Sequence, residues 1–446
     1  MSLTNASPAD AAQAAKSASH VLATLSVDAR NEALTSIHDA LAAARDDILA
    51  ANARDLELAS RAAADGSLSK SLVARLDLAK AGKWEDMLKG ILDVRDLDDP
   101  VGRVTLRTRL DNGLDLERVT CPIGVLLIIF EARPEVIANI AALAVKSGNA
   151  AILKGGKEST ESFVAISTVI SAALERSQVP NAAVQLVTTR DVIPELLAQD
   201  AHIDLVIPRG SNELVRYIKN NTRIPVLGHA DGICSAYLEQ SADPAMAADV
   251  VVDSKTNYPA ACNSLETLLV QDAALHTLLP AVAAALAAKG VDLRCDPASK
   301  AALQHVPGLV LADAADADFS TEFLSLTLAV KTVSSLSEAV THINTHGSHH
   351  TDCILTSSQE QAEQFMAAVD SAGVYWNAST RFADGTRYGF GTEVGISTNK
   401  IHSRGPVGLE GLMIYKYKLR GQGQVSAAYG EGEGKRRYLH QQLPLE

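Results

Sequence analysis

Apolar residues recur along the first part of the chain at the spacing of an amphipathic helix. Leu34, Ile37 and Leu41 lie three and four positions apart, in a segment that is rich in alanine. Ser7 followed by Pro8 is typical of a helix start, because a proline at the first helical position loses no hydrogen bond that the helix needs. The pattern predicts a helical N-terminal segment.

Between Val101 and Cys121 the pattern changes, and apolar and polar residues alternate. Asp111, Asn112 and Gly113 divide this stretch, and an Asn-Gly pair accepts the positive φ angles of a tight turn. The segment is therefore predicted to form a β-hairpin.

From Pro122 onward, short apolar runs alternate with helical patterns, which indicates parallel strands joined by crossover helices. In the first series the predicted strands are Val125 to Phe130, Ala150 to Leu153, Val184 to Val187, Ile203 to Ile207 and Ile224 to Leu227, and the predicted helices are Pro134 to Lys146, Ser162 to Glu175, Val192 to Leu197 and Asn212 to Lys219. The second series starts near Ile233, with predicted strands at Leu265 to Val270, Leu326 to Lys331, Cys353 to Thr356 and Val374 to Trp376. We predict an α/β fold with two parallel-sheet domains.

Length and charge narrow the class of protein. The 446 residues correspond to two or three domains. With 40 basic and 53 acidic side chains the net charge is −13, so nucleic acid is not an expected partner and an anionic ligand needs a local basic pocket. The most apolar stretch is too short to span a bilayer, and the N-terminus lacks the features of a secretory signal. We expect a cytoplasmic protein with no membrane partner.

The five cysteines are odd in number, widely spaced and without a CxxC pair, which fits neither a disulfide framework nor a structural zinc site. Cys262 differs from the others because it lies in the loop KTNYPAACNSLE, just before a predicted strand. Small neighbours leave its sulfur accessible, and nearby backbone N–H groups can hold an oxyanion. Cys262 is the candidate nucleophile, and an inert loop cysteine is the alternative.

A GxGxxG motif after a strand is absent, but two other strand ends are candidates for cofactor binding. In ILKGGKEST, Lys154 and Lys157 flank two glycines before a helix, an arrangement suited to a phosphate or a ribose. A solvated lysine pair is the alternative. In IPRGSNELVRYI, Gly210 and Ser211 begin a helix, which is compatible with a pyrophosphate.

The run HINTHGSHHTDC raises the question of a metal site. His342 and His346 are four positions apart and can share a helical face. However, Gly347 ends the predicted helix and Cys353 belongs to a strand, so we predict a histidine-bearing loop near an active-site mouth rather than a metal site.

Four segments together resemble the glutamate-5-semialdehyde dehydrogenases, also called gamma-glutamyl phosphate reductases, a family of the aldehyde dehydrogenase superfamily that acts in proline synthesis. These segments are KTNYPAACNSLE around Cys262, SGNAAILKGGKES around Lys154, TEFLSLTLAVKT around Glu322, and NASTRFADGTRYGFGTEVGIST at residues 377–398. The resemblance runs from about Ala6 to Arg420.

The resemblance implies three parts. Residues 1–100 and 122–232 would form the NADP-binding domain and residues 233–399 the catalytic domain with the nucleophilic cysteine. Residues 101–121 and 400–420 would form an oligomerisation arm, and a homodimer or dimer-based oligomer would follow from it. Residues 421–446, rich in Gly, Gln and charge without an apolar period, are predicted to be a flexible tail. An association with glutamate 5-kinase, which would channel the unstable acyl phosphate, is left open.

By position in the matched motifs, the resemblance implies that Cys262 is the nucleophile, that Lys154 holds the adenosine ribose and that Glu322 holds the nicotinamide ribose. It also implies that Gly210 and Ser211 lie beneath the pyrophosphate.

Two departures from the superfamily pattern are informative. Aldehyde-oxidising relatives have a glutamate that activates water where this chain has His229, and an oxyanion-donating asparagine where it has Ala132. A reductase of an acyl phosphate needs no water, because the thioester accepts a hydride, and a water-activating base would hydrolyse that thioester.

The expected activity is therefore NADPH-dependent reduction of L-glutamyl 5-phosphate. The candidates for binding its carboxylate and phosphate are Arg133 and Arg381, and structural salt bridges are the alternative for each. Lys157 takes the place of the acidic residue of NAD-using relatives and would attract the 2′-phosphate of NADP. The competing hypotheses are a broader NAD-dependent aldehyde dehydrogenase and a cofactor-binding protein that has lost turnover.

Overall fold

The structure is a computed structural model that describes residues 3–4, 6–68, 70–131, 133–188, 192–229 and 231–445. Its N-terminal part consists of a short strand and five helices: β1 (Leu3–Thr4), α1 (Pro8–Leu22), α2 (Val27–Ala43), α3 (Arg45–Ala64), α4 (Lys70–Leu76) and α5 (Lys83–Asp96). The Ser7 hydroxyl caps α1 by accepting a hydrogen bond of 3.2 Å from the Asp10 N–H. The predicted helical N-terminal segment and its start are confirmed.

The predicted hairpin is also present. Strands β2 (Val104–Asp111) and β3 (Leu114–Pro122) pair antiparallel. Gly113 lies in the turn with a φ of +72°, a conformation that glycine adopts without steric cost.

The first parallel sheet has the strand order β1-β6-β5-β4-β7. Its remaining strands and the connecting helices are β4 (Val125–Phe130), α6 (Val136–Ser147), β5 (Ala150–Gly155), α7 (Thr160–Leu174), β6 (Val184–Val187), α8 (Ile193–Leu197), β7 (Leu205–Arg209) and α9 (Asn212–Asn220). All six residues of β4 are buried, because helices cover both faces of the sheet. The strand predicted at residues 224–227 is reduced to an isolated bridge between Val206 and Val226, and Pro225 has no N–H to extend the pairing.

The second parallel sheet has the order β11-β10-β12-β9-β8-β13-β14. Its elements are β8 (Cys234–Leu238), α10 (Pro244–Thr256), β9 (Leu265–Gln271), α11 (Leu279–Ala287), β10 (Asp292–Cys295), α12 (Pro297–Leu303), β11 (Leu311–Asp313), β12 (Thr327–Val333), α13 (Leu336–His346), β13 (Thr351–Leu355), α14 (Gln359–Ala368) and β14 (Gly373–Trp376). The two parallel sheets confirm the predicted α/β class. Within the described part of the chain, no helix is long and apolar enough to cross a membrane.

The last strands are β15 (Ile396–Ser397), β16 (Gly405–Pro406), β17 (Met413–Arg420) and β18 (Gln441–Gln442). Strand β17 pairs antiparallel with β3 along its whole length, which gives a four-stranded sheet of order β17-β3-β2-β18. The hairpin and the strand after Lys400 therefore lie side by side, and their role as an oligomerisation arm stays a prediction.

The segment after Gly421 folds back onto this sheet, so the prediction of a flexible tail is wrong. Strand β18 pairs with β2, and the Tyr429 hydroxyl donates a hydrogen bond of 2.8 Å to the Asp111 carboxylate. The rings of Tyr429 and Tyr438 stack at 4.7 Å. Backbone pairing and a few aromatic contacts order this segment without the apolar period that the prediction relied on.

Candidate active site

Cys262 lies in the loop between α10 and β9, and its side chain is partly buried. The backbone of this loop is in close contact with the entry to β8. A Cβ on Gly232 would lie 2.0 Å from the Cys262 carbonyl oxygen, and the Cys234 thiol donates to that same oxygen at 3.4 Å. Position 232 therefore requires glycine, and the contact with Cys234 fixes the backbone of the Cys262 loop.

A buried ion pair joins the two ends of this loop. The Lys255 ammonium lies 2.6 Å from the Glu266 carboxylate, and both side chains are fully buried. Burial lowers the pKa of Lys255 and raises that of Glu266, and each is partly offset by the opposite charge. The second Glu266 oxygen accepts a hydrogen bond of 3.3 Å from the Leu324 N–H, which ties the loop to the segment that carries Glu322.

Two histidines lie beside Cys262. One ring nitrogen each of His229 and His350 and the Cys262 sulfur all lie within 4.8 Å of one another. The His229 Nδ1 is 3.0 Å from the Ile396 carbonyl oxygen, and burial lowers the pKa of His229. Because a carbonyl only accepts hydrogen bonds, Nδ1 carries the proton and Nε2 keeps its lone pair.

His350 comes from the histidine-rich run and is 1% exposed. Its Nδ1 is 2.9 Å from the Thr351 hydroxyl, whereas its Nε2 has no partner within the described residues. His342 and His346 do not join it, since their rings stack on each other at 4.5 Å in α13. One histidine of the run therefore reaches Cys262.

Two arginines lie near the cysteine, and a third lies near one of them. The guanidinium groups of Arg209 and Arg381 both interact electrostatically with Cys262, and Arg133 interacts with Arg209. Arg381 is 9% exposed, and its Nε has no hydrogen-bond partner among the described residues. Burial lowers the pKa of both Arg209 and Arg381, so each would gain from an anionic partner.

Arg209 is a residue that the sequence interpretation missed. It ends β7 immediately before Gly210, and a basic residue at the carboxyl end of a parallel strand was the available signal. Glu393, also missed, interacts electrostatically with Arg209 and Arg133. Ala132, the residue at the place of the oxyanion-donating asparagine, lies outside the described residues.

A cleft of about 800 Å³ opens at the carboxyl ends of β4 and β5. Both predicted lysines, Lys154 and Lys157, line it. Gly155 allows the floor to close, because a Cβ there would lie 2.1 Å from the Phe163 ring. The strand order of the sheet reverses between β4 and β7, the usual position of a nucleotide in such folds, and Glu131 after β4 and Leu214 after β7 also line the cleft.

The N-terminus of α9 holds Gly210 and Ser211 as predicted, but a carboxylate is in contact with it. The Ser211 N–H donates a hydrogen bond of 3.0 Å to Glu131, and a Cβ on Gly210 would lie 2.5 Å from the same carboxylate oxygen. The helix dipole and the unpaired N–H groups stabilise an anion here. Glu131 also lines the cleft, and the sequence interpretation did not identify it.

Glu322 lies between the cysteine loop and α9. Its carboxylate lies near the Gly232 N–H, His229 and the Asn212 side chain, each of which favours the charged form. Burial raises the pKa of Glu322. Glu322 is therefore close to the nucleophile loop, whereas Lys154 lies in the cleft of the first sheet.

Comparison with known proteins agrees with this geometry. The sequence model of the aldehyde dehydrogenase family matches residues 2–305. The chain is 56% identical to the probable gamma-glutamyl phosphate reductase of Schizosaccharomyces pombe over 434 residues, which cover 97% of this chain and 96% of that protein. It is 50% identical over 450 residues to the gamma-glutamyl phosphate reductase of Saccharomyces cerevisiae, with 98% of each covered. The crystal structure of gamma-glutamyl phosphate reductase from Thermotoga maritima superimposes with a TM-score of 0.88 at 36% identity, and the match covers 94% of this chain and 100% of that one.

Proposed function

The chain belongs to the aldehyde dehydrogenase family, in the branch of the gamma-glutamyl phosphate reductases, and we propose that it reduces L-glutamyl 5-phosphate to L-glutamate 5-semialdehyde through a Cys262 thioester, with NADPH as the reductant. The step belongs to proline biosynthesis. The observation that carries the proposal is the position of Cys262 between a histidine with a free lone pair and a group of arginines.

His229 activates the nucleophile. Its Nδ1–H is held by the Ile396 carbonyl, so Nε2 is the nitrogen that accepts the proton from the Cys262 thiol. The thiolate then attacks the acyl carbon, the C–O bond to phosphate breaks, and the departing phosphate, bound by the arginines, takes a proton from solvent. While the thioester exists, His229 is an imidazolium and cannot deprotonate water. The same residue therefore generates the thiolate and protects the thioester from hydrolysis.

The arginines bind the two anionic groups of the substrate. Arg381 has an unpaired Nε among the described residues, Arg381 and Arg209 both interact electrostatically with Cys262, and Arg133 interacts with Arg209. A guanidinium matches either a phosphate or a carboxylate with paired hydrogen bonds. We assign the phosphate and the carboxylate of the substrate to this group of cations.

The cofactor cleft fits a dinucleotide in size and in charge. Lys154 and Lys157 line it, Ser211 offers a backbone N–H at a helix N-terminus, and Glu322 stands near the cysteine for the nicotinamide ribose. Bound NADPH supplies the hydride that reduces the thioester. The oxyanion that follows hydride addition then collapses, the C–S bond breaks, and His229 returns its proton to the departing sulfur, which releases the aldehyde and regenerates the thiol. Lys157, as an ammonium facing the adenosine end, selects the phosphorylated cofactor.

The arm is proposed to join two copies of the chain. Strand β17 is one of the two edge strands of its sheet, and Tyr415, Tyr417 and Leu419 on one face of it are between 50% and 58% exposed. Exposed apolar side chains on a sheet edge are typical of an interface. Hand-over of the unstable acyl phosphate from glutamate 5-kinase is a further hypothesis, and co-elution of the two purified proteins tests it.

A reverse assay tests the proposed reaction. Purified protein with glutamate 5-semialdehyde and NADP should form NADPH only when inorganic phosphate is present, because phosphate must release the acyl group from Cys262. NADPH formation at the same rate without phosphate would identify an ordinary hydrolytic aldehyde dehydrogenase. An absence of any reduction with NADP or NAD would identify a binding protein without turnover.

A further inference from the structure

Two histidines lie beside Cys262, and the proposed reduction does not explain why there are two. A proton relay to the thiol needs one imidazole, and His229 supplies it. His350 is also within the 4.8 Å group, and its side chain is almost fully buried with Nε2 unpartnered in the described part of the chain. A buried nitrogen without a partner is costly, which indicates that this position is completed by something bound.

The two histidines share one hydrogen-bonding arrangement. Each has its Nδ1 hydrogen-bonded to an oxygen, the carbonyl of Ile396 for His229 and the hydroxyl of Thr351 for His350. Because both Nδ1 atoms are engaged, the Nε2 of each ring is the nitrogen available to a further ligand, and the two rings meet edge to face with centroids 5.1 Å apart. Histidines that bind metal ions are oriented in this way, with the second ring nitrogen held by an oxygen acceptor or hydroxyl.

We propose that His229, Cys262 and His350 bind a zinc-type divalent cation, which blocks the nucleophile and inhibits the enzyme reversibly. One thiolate and two imidazoles are the ligands that Zn²⁺ prefers, and three protein ligands leave the fourth position to water. In tetrahedral coordination the ligand atoms lie about 3.5 Å apart, so atoms that are within 4.8 Å of one another need to close by no more than about 1.3 Å. Binding breaks the Cys262 S–H bond and forms an S–Zn bond, and the proton passes to solvent.

Binding and inhibition are distinct parts of this inference. Metal binding depends only on the relative positions of the three ligand side chains. Inhibition also requires that Cys262 is the nucleophile, which rests on the proposed function. A binding measurement without substrate or cofactor therefore separates failure of the metal site from failure of the proposed reaction.

The experiment uses Co²⁺ as a spectroscopic probe on the metal-free full-length protein. We expect one equivalent of Co²⁺ to produce a thiolate-to-cobalt charge-transfer band and a tetrahedral d–d spectrum, and Zn²⁺ to displace it. Cys262→Ser should abolish the charge-transfer band, and His229→Ala and His350→Ala should each weaken binding at least about a hundredfold. Thr351→Val keeps the ligands and removes the hydroxyl from His350 Nδ1, so it should weaken binding about tenfold.

His346→Ala is the matched control, because this histidine belongs to the same run but stacks on His342. It should bind Co²⁺ as the wild type does. Zn²⁺ should also protect Cys262 from iodoacetamide in the wild type and in His346→Ala but not in His350→Ala. A wild type without the charge-transfer band, or a Cys262→Ser protein that binds Zn²⁺ unchanged, would overturn the proposal. If His350→Ala fails to fold, Thr351→Val and His229→Ala decide the question.

Discussion

The Glu131 carboxylate accepts a hydrogen bond of 3.0 Å from the Ser211 N–H and so lies against the N-terminus of α9. This is the helix end proposed for the cofactor pyrophosphate. Two anions cannot share the same N–H groups without repulsion, so NADPH must displace the carboxylate when it binds.

Glu131→Gln should therefore bind NADPH more tightly. The amide keeps a hydrogen-bond acceptor but removes the charge, and a charge-assisted contact of this kind is worth about 1.5 to 3 kcal/mol, which predicts a Kd at least about tenfold lower. Fluorescence titration of NADPH measures it. Glu135→Gln is the control, because Glu135 pairs with Lys83 at 3.1 Å instead of capping α9. Weaker NADPH binding in Glu131→Gln would mean that Glu131 holds the cofactor.

Cys262→Ser should lose turnover but keep cofactor binding. Only the covalent step needs the thiolate, and a serine hydroxyl is a much weaker nucleophile, so kcat should fall by at least about a thousandfold. Cys121→Ser serves as the control, since Cys121 is also a partly exposed free thiol but lies in β3. Substantial residual activity in Cys262→Ser would exclude Cys262 as the nucleophile.

Lys157→Glu should move cofactor preference from NADP to NAD. Lys157 lines the cleft, and reversing its charge replaces attraction for the 2′-phosphate with repulsion, which predicts a change of about ten- to a hundredfold in the ratio of the two kcat/KM values. Lys289→Glu makes the same change in net charge on an exposed turn outside the cleft. An unchanged ratio in Lys157→Glu would show that the phosphate is read elsewhere.

The stacked pair in α13 predicts a pH dependence of stability. Burial, and then His346 and Lys331, lower the pKa of His342 from 6.5 to about 4. Between pH 6.5 and pH 4 this histidine is protonated in the unfolded chain but remains neutral in the folded protein. The free energy of unfolding therefore falls as the pH drops through this range, by up to about 3 kcal/mol for this group.

His342→Leu should remove this contribution, so urea unfolding near neutral pH and near pH 4 should show a smaller loss of stability than in the wild type. His305→Leu, at an exposed position, should follow the wild type. Equal losses in His342→Leu and the wild type would mean that His342 titrates normally in the folded protein.

Deletion of residues 421–446 should make the protein associate. The deletion removes β18 and the Tyr429 contact to Asp111, which uncovers the edge of β2. Light scattering should therefore detect larger species than in the full chain. The activity of the unaggregated fraction should be unchanged, because the deleted residues lie outside the active site. A truncated protein with the same size distribution would show that the segment does not protect this edge.

Local patterns predicted the elements that local chemistry determines. The turn at Gly113, the cap at Ser7 and the fully buried strand at Val125–Phe130 all follow from neighbouring residues. The position of Cys262 in a loop before a strand could also be predicted from its neighbouring residues. The ordered C-terminal segment was not readable, because its pairing partner β2 lies more than three hundred positions away in the chain.

The remainder of the site depends on tertiary contacts. Glu131, Arg209 and His350 come from three separate segments, and none of these segments has a motif that identifies its role. Only the packing of β4, β7 and β13 brings them around the cleft and the cysteine. A basic residue at a strand end was a signal for Arg209, whereas an acidic residue such as Glu131 is unexpected where an anion is to bind.

The buried pair of Lys255 and Glu266 has a consequence for how the active site is held together. Glu266 on the second sheet contacts both Lys255, at the start of the Cys262 loop, and the segment that carries Glu322. Lys154 belongs to the first sheet. The nucleophile loop and the carboxylate proposed for the nicotinamide ribose are therefore held to each other by one buried ion pair. Loss of this ion pair would disturb the nucleophile and the nicotinamide end together, whereas a change at Lys154 would act on the adenosine end alone.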